Sequence, residues 1–200
     1  MLKNKSFIFL GSSVTYGNNG YSFVEMLAER NALTYIKEAV SGTALAHTDD
    51  GSYVARLTSR VDKDFKADAF LCQLSTNDAG RNLPHGSISE GFEYSDFDKS
   101  TTCGAIEYII KYVKDTWSCP VFFYTGTRFN SERYARMVSD LLVIAKKWDI
   151  TVIDLWNEEY LNNITPEQTK RWMKDPVHPT TEGYMEHWLP FIEGKLCEKL

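Results

Sequence analysis

Residues 7–17 read Phe7-Ile8-Phe9-Leu10-Gly11-Ser12-Ser13-Val14-Thr15-Tyr16-Gly17. Four consecutive apolar residues with high β-propensity predict a short buried strand, and the small residues behind them predict a turn. Further apolar runs, each followed by small or turn-forming residues, lie at residues 33–39, 69–74, 121–124 and 151–155. The sequence therefore predicts five strands, each ending in a loop.

Segments with helical spacing of apolar residues lie between and after these runs. The predicted helices cover residues 21–31, 53–65, 102–117, 131–148 and 181–200. Strands that alternate with helices along the whole chain indicate a parallel sheet covered on both faces, with right-handed crossovers. We predict one three-layer α/β domain over residues 1–200, with a polar loop excursion at about 80–101 as a candidate rim or lid of a ligand site.

Composition and charge indicate which classes of binding partner are disfavoured. The 200 residues are 43% hydrophobic, and 22 basic against 27 acidic side chains give a net charge of −5 without a block of like charges. This balance disfavours nucleic acids and anionic membranes, which need a basic face. No stretch approaches the roughly 18 apolar residues of a membrane span. The oligomeric state has no signature in the sequence.

The amino-terminal segment and the cysteines indicate the cellular compartment of the protein. Only four apolar residues precede Gly11, fewer than the roughly 7 of a signal-peptide core. The four cysteines include no close-set pair and no ligand-like spacing to histidine. We expect a cytoplasmic protein with reduced thiols and no metal or cofactor, with a removed signal peptide as the alternative.

The segment Asp175-Pro176-Val177-His178-Pro179 carries the clearest chemistry. A carboxylate three residues before an imidazole can accept the Nδ1–H and leave Nε2 outward as a base. Ser13, directly after the first strand, offers the nucleophile that such a base activates. The backbone amides of Ser13 and Gly42 and the carboxamide of Asn77 are suitable donors for an oxyanion.

Together these residues resemble the SGNH hydrolases, also called GDSL esterases and lipases. That family has Gly-Asp-Ser after the first strand, a glycine after the second, Gly-X-Asn-Asp after the third and Asp-X-X-His near the carboxyl end. The matching positions occur in the same order, at 11–13, Gly42, 75–78 and 175–178. Two residues depart from the pattern: Ser12 stands where the family has Asp, and Ser75 where it has Gly.

The resemblance implies a flavodoxin-like α/β/α sandwich with strand order 2-1-3-4-5 and serine esterase chemistry. It names Ser13, Gly42, Asn77 and His178 as the site quartet, and Asp175 completes the triad. The expected substrate is a small-molecule ester, with an O-acetylated carbohydrate as one candidate. Alternatives are a lysophospholipase, a thioesterase, an acyltransferase or a non-catalytic binding domain of the same fold.

Other interpretations of single residues stay open. Ser12 is an alternative nucleophile, and Asp175 with His178 is the only metal-like pair in the sequence. Asp175 is also a candidate cap for the last helix. The remaining histidines are predicted to be surface or packing residues, with His85 also a candidate rim contact; they are His47, His85 and His187.

Overall fold

A five-stranded parallel sheet forms the centre of the structure, a computed structural model that describes residues 1–200. Its strands lie in the order β2-β1-β3-β4-β5, and every neighbouring pair is parallel. The strands are β1 (Ser6–Gly11), β2 (Thr34–Ala39), β3 (Ala69–Gln73), β4 (Val121–Tyr124) and β5 (Thr151–Ile153). The predicted sheet, strand order and fold class are confirmed.

Nine α-helices connect and flank the strands. They are α1 (Ser13–Tyr16), α2 (Phe23–Asn31), α3 (Tyr53–Arg60), α4 (Thr76–Gly80), α5 (Thr102–Trp117), α6 (Glu132–Trp148), α7 (Glu159–Asn162), α8 (Pro166–Trp172) and α9 (Leu189–Lys199). A 3-10 turn covers Tyr94–Asp96, and a π-helical segment, Gly183–Trp188, leads into α9.

Two predicted helices differ from the structure, one at its end and one in its interior. The helix predicted at 53–65 ends at Arg60, because Val61 is extended and the Asp62 carboxylate accepts the Asp64 amide in a local turn. The helix predicted at 181–200 begins at Thr181 and Glu182 as an α-helix, continues as the π-helical segment and returns to α-helix at Leu189. Apolar spacing showed neither feature, because both depend on local hydrogen bonds.

Residues of β1 alternate between the two cores of the molecule. Ile8 and Leu10 belong to the core under α3, α5 and α6, whereas Phe7 and Phe9 belong to the core under α2 and α9. Successive side chains of a strand point to opposite faces, so a strand covered on both sides is apolar throughout. This explains the uninterrupted run Phe7 to Leu10 and establishes the three layers.

The polar excursion at 80–101 packs largely on α5 and α6. The amides of Thr102 and Cys103 donate to the carbonyls of Pro84 and His85, and the Arg133 guanidinium donates to the Leu83 carbonyl. Both ends of the excursion reach the loop after β2: Arg81 donates to the Gly42 carbonyl at 2.5 Å, and the His47 amide donates to the Lys99 carbonyl at 2.7 Å. The structure therefore shows a loop that is held by hydrogen bonds along its length, with Arg81 and Lys99 in contact with the loop after β2.

No helix in the structure combines the length and the apolar character that crossing a membrane requires. The four cysteines are free thiols, of which only Cys197 is exposed.

Candidate active site

Ser13, His178 and Asp175 form a continuous chain of hydrogen bonds. Ser13 Oγ lies 2.8 Å from His178 Nε2, and His178 Nδ1 lies 2.8 Å from Asp175 Oδ2. The serine and the histidine are 165 positions apart (178 − 13). An imidazole held between a hydroxyl and a carboxylate is the arrangement that makes serine nucleophilic.

The turn from β1 into α1 presents Ser13 at the carboxyl edge of the sheet. Ser13 is the first residue of α1, two positions after β1 ends at Gly11. A Cβ at Gly11 would lie 1.6 Å from Thr15 Oγ1, so the tight turn requires glycine there. Ligand sites of open parallel sheets lie at this edge.

The loop between α8 and the π-helical segment holds the acid and the imidazole. Asp175 Oδ1 accepts the amides of Val177 at 2.8 Å and of His178 at 2.9 Å, and the Lys174 amide donates to the His178 carbonyl. Burial raises the pKa of Asp175, but these amide bonds and the imidazole outweigh it and lower the pKa below the ordinary 3.8. The carboxylate is therefore ionised at neutral pH and orients the ring.

Asn77 connects the loops that follow β1 and β2. Its Nδ2 donates to the Thr43 carbonyl at 2.9 Å and to Ser12 Oγ at 3.2 Å. Gly42, next to Thr43, has a φ of +79°, which favours glycine. The structure thus brings the Asn77 carboxamide, on α4, to the loop that carries Gly42, and this carboxamide donates both to that loop and to Ser12.

Ser12 and Ser13 have different surroundings, although they are adjacent. Ser12 is fully buried, and its hydroxyl lies 3.4 Å from Gln73 Oε1 in addition to its contact with Asn77. Ser13 is partly exposed and contacts the histidine. The geometry favours Ser13 as the nucleophile over the alternative Ser12.

Arg56 is a buried support of the site that sequence reasoning missed. Its guanidinium donates to the carbonyls of Gly11, Glu38 and Gly51, to the Glu38 carboxylate and to Thr43 Oγ1, all at 2.8–3.0 Å. These bonds join the end of β1 to the loop that carries Gly42. The sequence did contain one indication of this role: Arg56 is a charged residue on the apolar face of α3, three positions after buried Tyr53.

Asp78 is a second residue that supports the site and to which the sequence analysis assigned no role. Its carboxylate accepts the amides of Leu45 at 2.7 Å and Ala46 at 3.0 Å, and Thr102 Oγ1 lies 3.3 Å away. Burial raises the pKa of Asp78, and those hydrogen bonds partly offset the rise. Because Asp78 follows Asn77, it holds the loop after Gly42 against the helix that carries the carboxamide.

Several single-residue predictions are resolved by contacts in this region. Thr180 Oγ1 accepts the Gly183 amide at the start of the last helical segment, so Thr180 rather than Asp175 provides the cap. His187 is buried and stacks on Trp172, with ring centroids 4.4 Å apart. The other two histidines contact side chains: His47 lies 2.9 Å from Ser52 Oγ, and His85 lies 2.5 Å from Asp140 Oδ2.

A cleft of about 750 Å³ opens beside Asp175. It is lined by residues of the loop after β4, of α7 and α8, and of the loop that holds Asp175, and apolar atoms provide most of its surface. The basic side chains in it are Arg128, Lys170 and Lys174, and neither Ser13 nor His178 lines it. The cleft therefore adjoins the hydrogen-bonded chain at its carboxylate end.

The sequence matches the GDSL-like Lipase/Acylhydrolase family over residues 9–185. The chain belongs to this family. It is therefore a serine hydrolase that acts on ester bonds. The family assignment agrees with the resemblance found in the four sequence blocks. No curated protein matches the chain in sequence.

Solved structures share the GDSL fold over nearly the whole chain. A protein from Lactobacillus plantarum is 18% identical with a TM-score of 0.82, covering 99% of each chain. A structure from Bacteroides ovatus described as a GDSL-like lipase is 17% identical with a TM-score of 0.71, covering 98% of this chain and all of the other (100%). At these identities the similarity shows the fold.

The two departures from the GDSL pattern fit their surroundings. Ser75 has a φ of −71°, which does not require glycine, and its hydroxyl caps α4 by accepting the Asn77 amide at 3.2 Å. Ser12 occupies the position of the family's Asp and contacts the Asn77 carboxamide. Both serines therefore contact the residue proposed as an oxyanion donor.

Proposed function

We propose that this GDSL hydrolase cleaves a small ester through an acyl-enzyme on Ser13. The observation that carries the proposal is the chain of two 2.8 Å contacts from Ser13 Oγ through His178 to Asp175. His178 Nε2 takes the Ser13 proton as Oγ attacks the carbonyl carbon, and Asp175 stabilises the imidazolium that forms. His178 then protonates the leaving alcohol.

Water completes the cycle by the same route. His178 takes a proton from water, the resulting hydroxide attacks the acyl carbon, and the Ser13 ester bond breaks as Oγ regains its proton. In both steps the amides of Ser13 and Gly42 and the Asn77 carboxamide donate hydrogen bonds to the oxyanion. The Asn77 N–H that donates to Ser12 Oγ in the free protein donates to the oxyanion instead. Donors aimed at developing charge supply a large share of such catalysis.

We expect Asn77→Ala to lower kcat by about 10²–10³-fold, the usual cost of losing one oxyanion donor. Steady-state hydrolysis of 4-nitrophenyl acetate measures this loss. The matched control is Ser12→Ala, which removes the present partner of Asn77 but keeps its 2.9 Å bond to the Thr43 carbonyl. Its kcat should fall much less. Equal losses in the two variants would assign Asn77 a structural role instead.

A short acyl group is the proposed substrate preference. Neither Ser13 nor His178 lines the cleft beside Asp175, so the apolar surface of that cleft does not adjoin the Ser13 hydroxyl, from which a long acyl chain would have to extend. One face of Trp172 is stacked on His187, which leaves at most its other face for a sugar ring. A small O-acetyl ester remains the first candidate, with a carbohydrate as one possible alcohol part.

The proposed function is tested with a series of 4-nitrophenyl esters from acetate to palmitate. We expect kcat/KM to be highest for acetate and to fall as the acyl chain lengthens. A rise with chain length would contradict the proposal and favour a lysophospholipase or thioesterase. A fluorophosphonate probe should label the wild type but not Ser13→Ala, and absence of labelling in the wild type would favour a binding domain.

A further inference from the structure

Three metal-ligating side chains from separate elements meet beneath the polar excursion. His85 lies in the excursion, Cys103 in the first turn of α5 and Asp140 on α6. One ligand atom from each residue, an imidazole nitrogen, the Sγ and a carboxylate oxygen, lies within 4.8 Å of the other two. None of the three belongs to the hydrogen-bonded chain of Ser13, His178 and Asp175.

The three ligand atoms are close enough to share one ion. Three points no more than 4.8 Å apart fit within a circle of radius 4.8/√3, or about 2.8 Å. Zinc binds nitrogen and oxygen at about 2.0–2.2 Å and sulfur at about 2.3 Å. Shifts of less than about 1 Å in the side chains would therefore bring all three atoms to bonding distance.

Burial and charge also suit a divalent cation. Cys103 is only 1% exposed, and the side chains of His85 and Asp140 are 10% and 30% exposed. The cluster is thus closed on the thiol side and open on the carboxylate side, where water can enter. A thiolate and a carboxylate would neutralise a 2+ ion. Further charges that act on Cys103 are Arg136, which lies 3.8 Å from Asp140, and Glu107, which is paired with Lys147.

We propose that His85, Cys103 and Asp140 bind a zinc ion, with water as the fourth ligand. A mixed thiolate, imidazole and carboxylate set is one that zinc accepts. As the S–Zn bond forms, the Cys103 S–H bond breaks and its proton passes to water. The imidazole binds through an unprotonated nitrogen, and the hydrogen bond between His85 and Asp140 gives way to two bonds to the ion.

The ion would fasten the excursion to α5 and α6. His85 already approaches α5, because its carbonyl accepts the Cys103 amide at 3.0 Å. Gly86 permits this approach, since a Cβ there would lie 2.3 Å from Thr101 Oγ1. An ion that binds the folded state alone stabilises it. The ion would therefore stabilise the folded excursion, at a site separate from ester hydrolysis.

The test uses the full chain, stripped of metal with a chelator and dialysed against zinc. We expect one zinc per chain by elemental analysis and a higher Tm than in the stripped protein. Cobalt substitution should add a near-ultraviolet charge-transfer absorption from the thiolate. Cys103→Ala should abolish both metal binding and this absorption. Asp140→Asn, on a partly exposed helix face, should weaken zinc binding at least about 10-fold.

Three control variants separate this site from others. Cys119→Ala tests another buried thiol, Cys197→Ala tests the exposed thiol, and His178→Ala tests zinc held at the ester site. All three should keep one zinc per chain. The proposal is overturned if the wild type retains no zinc, if Cys103→Ala keeps its zinc, or if the cobalt form lacks the thiolate absorption. Should Cys103→Ala not fold, unchanged zinc affinity in Asp140→Asn overturns it equally.

Discussion

Ser13→Ala is expected to lower kcat for 4-nitrophenyl acetate by at least about 10⁴-fold. The variant lacks the oxygen that would form the acyl-enzyme, and oxyanion donors and binding alone leave only weak residual catalysis. The Ser13 hydroxyl contacts only His178, so removing it should leave the fold intact. Initial rates and thermal unfolding, measured on the same preparation, provide the two readouts.

Two comparisons make this expectation specific. The double variant Ser13→Ala/His178→Ala should be no slower than Ser13→Ala alone, because the two residues act as one unit. Ser12→Ala, at the neighbouring buried serine, should retain most of the activity. If Ser12→Ala lost turnover while Ser13→Ala kept it, the nucleophile would be Ser12 and the proposed mechanism would be wrong.

Asp175→Asn should have the second largest effect, a loss of about 10⁴-fold in kcat near neutral pH. An asparagine carbonyl can still accept the amides of Val177 and His178, so the loop should keep its shape. The amide lacks the charge that stabilises the imidazolium, and its NH₂ group favours the wrong imidazole tautomer. Comparing kcat of the variant and the wild type at pH 7.5 measures this loss.

The lowered pKa of Asp175 predicts how the same variant behaves with pH. A group whose pKa is lower in the folded state adds stability above its unfolded value, and that stability disappears as pH falls through the folded value. The difference in unfolding free energy between wild type and Asp175→Asn should thus not decrease as pH falls from 8 to 5. It should shrink below the ordinary value of 3.8. A difference that shrinks already between pH 7 and 5 would contradict a lowered pKa.

Much of the fold was predictable from short stretches of sequence. The run Phe7 to Leu10 indicated a buried strand, and β4 and α5 have the predicted bounds at both ends. Periodicity reports burial, and burial on both faces of a strand leaves an unbroken apolar run. The short helices α1, α4, α7 and α8 were not predicted, because four to seven residues are too few for a periodic pattern.

The site was predictable where its chemistry is local. Asp175 and His178 are three positions apart, and the proline-bounded turn that joins them is visible in the sequence. Arg56 and Asp78 were not predictable as supports of the site. Their partners lie up to 45 positions away, at distances set by how α3 and α4 pack on the sheet.

The sequence by itself determined the strands, the main helices and the residue types of a serine hydrolase, because these follow from local patterns. Only the tertiary structure decided which groups touch. It placed Ser13 rather than Ser12 against His178, and it gathered His85, Cys103 and Asp140 from positions 18 and 37 residues apart (103 − 85 and 140 − 103). Such contacts arise from the packing of whole helices and loops on the sheet, which no spacing within a short stretch encodes.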